Sequence, residues 1–416
     1  MRSLLLELAE QYPSLPKAVI LKTALLSLGV RFHSLMVEAG KTVLPDFRFH
    51  RLPDGSLVQL PYLMVLEGGS LIRLRCREDS PFQIEPDGDN FFLMDRAEPV
   101  VRFTFADRPV WQTRKASDGV PLNGCGLNQH GDMMVLNLTP ACEYWLTPFE
   151  GTALTPDPPE RSCRCAFCGY GLPDARSKTL GQEQGQPAVA SAVLKRAGEA
   201  VQMGVASGAR HLYLTGGSMT NPNLEAERYL NIVNGIRKAA DGLYLTVGSQ
   251  ALPPERLPAF KTAGADGICF NLEVWDREVW QRVCPGKSRF FGRNMWEASL
   301  IEAVRIFGDG NVFSAFVIGA EMVSDNTLSD PNVALNSNIE GVRWLLQRGI
   351  HPILSLFWPF AGTDMEDCPG PDLHFLLQLY SEVNQVRYEL GKPFPGNIAC
   401  KRCLYMQVEG DFPESW

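Results

Sequence analysis

Short apolar runs of strand character alternate with longer segments of helical character from about residue 133 onward, and this alternation restricts the fold more than any other feature. The first run is 133–138. Helix-like 188–206 then precedes a strand at 211–215, 224–240 precedes 243–247, and 254–263 precedes 267–272. Further on, 295–307 leads to 312–318, 339–347 leads to 352–357, and 373–390 closes the series. Strands linked in this way must pair in parallel, because each helix carries the chain back across the sheet. Six strands give a barrel or an open arc, so the sequence predicts an α/β protein built on a partial TIM-type (βα)6 barrel. Reactive groups in such folds gather at the carboxyl ends of the strands, which makes the residues just after each apolar run the informative ones.

Ahead of the alternation the character differs. Ser14 and Pro16 start a short apolar helix that ends at Gly29. Residues 47–105 read as short strands, among them 57–66 and 71–76, with turn signals at Pro53-Asp54-Gly55, Gly68-Gly69 and Pro86-Asp87-Gly88. The expected organisation is therefore an amino-terminal helix and β-rich domain over 1–130, the barrel over 131–391, and a tail over 392–416 that carries Cys400 and Cys403.

The 416 residues are 45% apolar, enough for a large core. The formal charge of -8 arises from 39 basic and 47 acidic residues in no obvious block, which argues against a nucleic-acid surface and for a small-molecule partner. Glu7, Glu10, Lys17 and Lys22 interrupt the apolar start, so neither a membrane span nor a signal peptide is expected. Eleven cysteines is an odd number, and three of them fall within six residues, poor spacing for secreted disulfides. Thiolate ligands in a reducing cytoplasm explain them better.

The crowded stretch is Cys163-Arg164-Cys165-Ala166-Phe167-Cys168, on the loop after the first strand of the alternating series. Three sulfur ligands there would hold an iron–sulfur cluster and leave one metal position open for a cofactor. Buried free cysteines or a zinc knot are the competing readings.

The segment resembles the radical S-adenosylmethionine (SAM) superfamily, with its Cys-x3-Cys-x2-Cys pattern and an aromatic residue before the last cysteine. Cys165, Phe167 and Cys168 match, whereas Arg161 stands where the first ligand belongs. Cys163 and Cys142 compete for that role. The resemblance, which spans about residues 133–390, implies a 4Fe-4S cluster and bound SAM. It aligns Gly216-Gly217-Ser218 with the Gly-Gly-Glu that holds the methionine amino group, Ser218 replacing the Glu. Asn271-Leu272-Glu273 is similar to the Asn-Leu-Glu of biotin-synthase-like and lipoyl-synthase-like members, and Val317-Ile318-Gly319 falls where a segment lies against adenine. Lys287 and the cations of 289–293 offer a partner for the methionine carboxylate, Arg293 being the one selected. Reductive SAM cleavage on a small-molecule substrate, with an electron donor such as flavodoxin or ferredoxin, is the implied activity. Cleavage to an aminocarboxypropyl radical and a non-enzymatic, zinc-stabilised binding protein are the alternatives.

Cys400-Lys401-Arg402-Cys403 is a second ligand-like pair that Cys368 would complete as a second metal site. Cys76, Cys125, Cys269 and Cys284 read as incidental thiols.

Overall fold

The structure is a computed structural model describing residues 3–41, 48–51, 57–139, 142–171, 188–322, 327–395, 397–398 and 400–413. The chain divides into two compact units, one made of residues 1–108 with 371–416 and the other of 109–370.

In the first unit, helices α1 (Leu4–Gln11), α2 (Lys17–Leu28) and α3 (Ser34–Lys41) accompany strands β1 (Arg31–Phe32), β2 (Arg48–Arg51), β3 (Leu57–Leu60), β4 (Leu63–Leu66), β5 (Leu71–Arg73), β6 (Phe82–Asp87), β7 (Asn90–Asp95) and β8 (Glu98–Phe105). Six of these form a sheet in the order β1-β6-β7-β8-β4-β5, and β2 pairs with β3 alone. The turn at Asp87-Gly88 sits where the sequence puts it, joining β6 to β7 with Gly88 at φ +59°. The turn expected at Pro53-Asp54-Gly55 lies outside the described residues.

Helix α2 runs from just after Pro16 to Gly29 as its punctuation predicts, and it is apolar on nearly every side because it is buried there. Its exception is Lys22. Burial pushes that ammonium's pKa down, and hydrogen bonds to the Leu404 carbonyl at 2.6 Å and Asp411 at 2.9 Å offset the cost. The carboxyl segment is thus part of this unit: Leu71 donates to the Lys401 carbonyl at 3.1 Å and Arg73 to Tyr405 at 2.8 Å. Residues 373–390 have the periodicity of one more barrel helix, but that helix belongs to this unit and packs on α2. Residues 109–130, read with the amino-terminal domain, belong instead to the barrel unit, where 127–130 pair along a barrel strand.

The second unit holds one sheet of β9 (Leu127–His130), β10 (Met133–Leu136), β11 (His211–Leu214), β12 (Tyr244–Ser249), β13 (Gly267–Phe270), β14 (Val312–Ile318) and β15 (His351–Leu356), in the order β15-β14-β13-β12-β11-β10-β9. Strands β10 to β15 are all parallel, as expected, and β9 joins β10 as an antiparallel hairpin. The two end strands do not pair, so the six parallel strands make a partial barrel and not a closed one.

Around them lie α4 (Glu143–Leu146), α5 (Ser191–Ala206), α6 (Pro222–Ile236), α7 (Leu257–Thr262), α8 (Arg277–Val283), α9 (Pro285–Phe290), α10 (Arg293–Phe307) and α11 (Pro331–Leu346), while α12 (Leu373–Leu390) is the helix of the first unit. Side-chain caps set several starts: Asn221 accepts from Asn223 and Leu224 ahead of α6, and Asp276 from Glu278 and Val279 ahead of α8. Helix α11 begins eight residues before the expected 339, since Asp330 caps it and Pro331 opens it. Among the described residues no helix is long and apolar enough to cross a membrane.

Candidate active site

Because β10 to β13 are parallel, the segments that follow them reach the same rim. A cavity of about 220 Å³ opens there. Cys142, Cys165 and Cys168 line it, together with Gly216, Gly217, Ser218 and Glu273. The remaining wall includes Tyr144, Phe167, Tyr170, Tyr213, Gln250, Asn271 and Lys287.

Cys142 caps the short helix α4 and reaches the cavity because the loop after β11 passes against it. Glu143 donates its backbone N–H to the Ser218 carbonyl at 2.8 Å, and the Gly217 N–H donates to Thr139 Oγ1 at 2.9 Å. The two glycines therefore admit protein backbone. A Cβ on Gly216 would lie 1.9 Å from Thr139 Oγ1, and one on Gly217 2.5 Å from Cys142 Cα. Glu143 itself turns away, accepting from the Thr220 N–H at 2.8 Å and its hydroxyl at 3.0 Å.

Cys165 and Cys168 sit on one tight turn, with the Cys168 N–H on the Cys165 carbonyl at 3.0 Å. Cys163 does not line the cavity. Its N–H donates to the Thr147 carbonyl at 2.9 Å, its carbonyl accepts from Gly286 at 2.9 Å, and its sulfur faces the Pro148 carbonyl at 3.5 Å. These bonds tie it into a strap behind the cavity wall.

The thiols feel one another. Burial, then the negative charge of Cys168 and Cys165, pushes Cys142 well above the ordinary thiol pKa. Burial followed by the charge of Cys165 pushes Cys168 up to about 12. Cys165 is lowered by a hydrogen bond from Cys284, which outweighs its burial, and further by the Lys287 ammonium.

Glu273 follows β13 with φ +67°, a left-handed conformation that a glutamate adopts only when its neighbours hold it there. Its N–H donates to the Ala315 carbonyl and its carbonyl accepts from Val317, both at 2.8 Å. The carboxylate meets Lys287 Nζ at 2.6 Å, and Nζ also donates to the Asn271 carbonyl at 2.9 Å. Burial works against the Lys287 charge, yet Glu273, Cys165 and Cys284 outweigh it and raise its pKa.

Beneath Ser218 lies a buried carboxylate the sequence did not single out. Glu225 accepts from the Met219 N–H at 2.6 Å and from Gln250 Nε2 at 2.7 Å, and Gln250 Oε1 accepts from the Tyr144 hydroxyl. Burial raises its pKa to about 8 despite those donors.

Other candidates stand elsewhere. Arg293 pairs with Glu297 at 2.8 Å and donates to the Val274 carbonyl at 3.0 Å, lining a separate cavity with Trp275. Of the cations after β13, Lys287 is the one on the cavity. Val317, Ile318 and Gly319 do not line it, and the Gly319 N–H donates to Glu321 at 2.8 Å. Cys400 and Cys403, sulfurs 2.6 Å apart, belong to the first unit and Cys368 to the second. Gln250 and Tyr213 carry no motif, their only signal being a place in or beside a strand of the alternating series, and Tyr170 stands two residues after Cys168 on the cysteine loop.

An open arc of parallel strands with cysteines gathered at its carboxyl rim has the make-up of the radical SAM superfamily, which this chain resembles. No protein-family model matches the chain. Over 382 residues, 84% of this chain and 85% of the relative, it is 22% identical to bacteriochlorophyllide c C-7(1)-hydroxylase of Chlorobaculum limnaeum. Among solved structures it is similar to HydG, a maturase of the FeFe-hydrogenase, with TM-score 0.39, 15% identity, and 55% of this chain against 47% of that one. Coproporphyrinogen III oxidase (HemN) of Escherichia coli, a radical SAM enzyme, aligns with TM-score 0.36 and 11% identity over 65% of this chain and 55% of its own. Methylornithine synthase (PylB) aligns with TM-score 0.36 and 13% identity over 68% and 81%. The alignments thus span about half the length of HydG and of HemN.

Proposed function

We propose that this chain is a radical SAM enzyme in which Cys142, Cys165 and Cys168 hold a 4Fe-4S cluster and leave its fourth iron to SAM. The observation that carries the reading is the convergence of those three cysteines on one cavity beside Glu273 and Gly217. Three thiols without a histidine on the described wall suit iron–sulfur ligation, and burial together with the negative charge of Cys165 raises both Cys142 and Cys168, a rise that a cation placed among them relieves. When bound, the cluster and SAM supply the one-electron cleavage that starts radical chemistry on a small-molecule substrate.

The protein's own contribution is placement. Cys142 is preferred over Cys163 because its helix turn opens on the cavity, while Cys163 is spent on the strap. Lys287 holds the Glu273 carboxylate in place to accept hydrogen bonds from SAM hydroxyl or ammonium groups. Ser218 and Gln250 offer neutral polar groups at the cavity's β11 and β12 side. The relative that acts on bacteriochlorophyllide c supports a small-molecule substrate. A flavodoxin- or ferredoxin-type electron donor and a second metal at the Cys400 and Cys403 pair belong to the same reading.

Anaerobic reconstitution tests it. The parent should take up about four irons per chain, as one such cluster requires, and Cys142→Ala, Cys165→Ala and Cys168→Ala should each lose them while Cys163→Ala keeps them. Stoichiometric zinc with little iron would sink the reading. SAM-derived products then separate deoxyadenosyl from aminocarboxypropyl chemistry.

A further inference from the structure

Two backbone segments run side by side behind the cysteine turn. Gly286 donates its N–H to the Cys163 carbonyl at 2.9 Å, and Ala166 donates to the Val283 carbonyl at 2.9 Å. Between those two bonds, on facing backbones, stand Cys165 and Cys284. The approach depends on Gly286, where a Cβ would come within 2.6 Å of the Cys163 carbonyl oxygen and 2.5 Å of Tyr144 Cγ. Cys284 is fully buried at 0% exposure, and the pairing of the two backbones sets it directly opposite Cys165. It is absent from the cavity wall, so it acts on the site only through Cys165.

We propose that Cys284 is a positioning residue for the cluster, donating its S–H to the sulfur of Cys165. The proposal rests on the iron–sulfur reading above. A hydrogen bond to a ligand sulfur stabilises the negative charge gained on reduction and so makes the cluster easier to reduce. Helix α9, which Cys284 caps, also carries Lys287 into the cavity, so one short element brings both a neutral donor and a cation to the same side of the site. Removing the thiol should leave the ligand set intact and move the potential.

The test compares the intact parent chain with Cys284→Ser and Cys284→Ala after anaerobic reconstitution. All three should bind the same iron per chain. The midpoint potential, followed by electron paramagnetic resonance, should be more negative in Cys284→Ala than in the parent, with Cys284→Ser, which keeps a donor, restored toward the parent. Equal potentials in all three would overturn the proposal, and so would iron loss in Cys284→Ala as deep as in Cys165→Ala, which would make Cys284 a ligand. A second measurement needs no iron. In the apo-chain, diamide, a diazene that takes up the two protons and two electrons released as two thiols join, should link Cys165 to Cys284, read by peptide mass spectrometry. No such link would refute the juxtaposition. A parent that links these cysteines yet takes up no iron would defeat the cluster reading and the tuning role together, while leaving the thiol contact standing.

Discussion

Gly217 meets Cys142 backbone to backbone: a Cβ on the glycine would lie 2.4 Å from the Cys142 nitrogen. The contact sets where the Cys142 sulfur stands, since the same loop holds Glu143 through the Ser218 carbonyl. Gly217→Ala should therefore push Cys142 out of place, lower iron uptake, and cost about 1–3 kcal/mol of stability as overpacking does. Gly124→Ala, where an added Cβ meets nothing within 4 Å, is the control. Iron content and thermal midpoint of both variants check it, and equal iron in the two would contradict it.

Glu273 and Lys287 are both largely buried, 8% and 12% being the side-chain exposures of the lysine and the glutamate. Glu273→Ala leaves the ammonium uncompensated, a loss of about 3–5 kcal/mol, and removes a charged acceptor, which should weaken SAM binding about tenfold to a hundredfold. Adding Lys287→Met to Glu273→Gln should recover much of the stability without restoring SAM affinity. Denaturant unfolding and calorimetric titration with SAM separate the two effects, with iron content unchanged in every folded variant.

Glu225 gives the chain a pH dependence of its own. Its folded pKa of about 8 lies above the ordinary glutamate value of 4.5, so between these values the folded state holds a proton the unfolded state has released. Stability contributed by the neutral carboxyl is present below about pH 4.5 and is lost as pH rises through about 8. Glu225→Gln should flatten that decline. Urea midpoints from pH 5 to 9 for parent and variant measure it, and parallel curves would argue against a raised Glu225.

The double change Cys400→Ser and Cys403→Ser should remove any metal bound beyond the first cluster while leaving that cluster's iron in place, and lower the thermal midpoint. Iron and zinc analysis beside the parent decides it. An unchanged count ends the second-site idea.

The sequence alone determined the alternating strands and helices of the barrel, because hydrophobic periodicity, Pro222 and the caps Asn221 and Asp276 are local signals that hold wherever the segment packs. It also brought Cys165 and Cys168 together, since two residues between cysteines on one turn leave their sulfurs little choice. Tertiary structure alone places Cys142 on the cavity and leaves Cys163 off it. Spacing leaves the two as competitors, but Gly286 and Thr147 bind the Cys163 backbone into the strap, and the Gly217 loop draws the distant Cys142 to the cavity. The placement of Lys287 and Arg293 also comes from the packed fold: both are cations after β13, and of the two Lys287 reaches Glu273 and the cavity, while Glu297 and the Val274 carbonyl hold Arg293 elsewhere. Helix 373–390 shows the converse limit, for its periodicity specifies a buried face and not the surface that will bury it, and α2 of the first unit was the partner. Periodicity and spacing act through neighbours in the chain; ligand choice and helix docking depend on which distant backbone comes close enough to touch, which only the packed fold fixes.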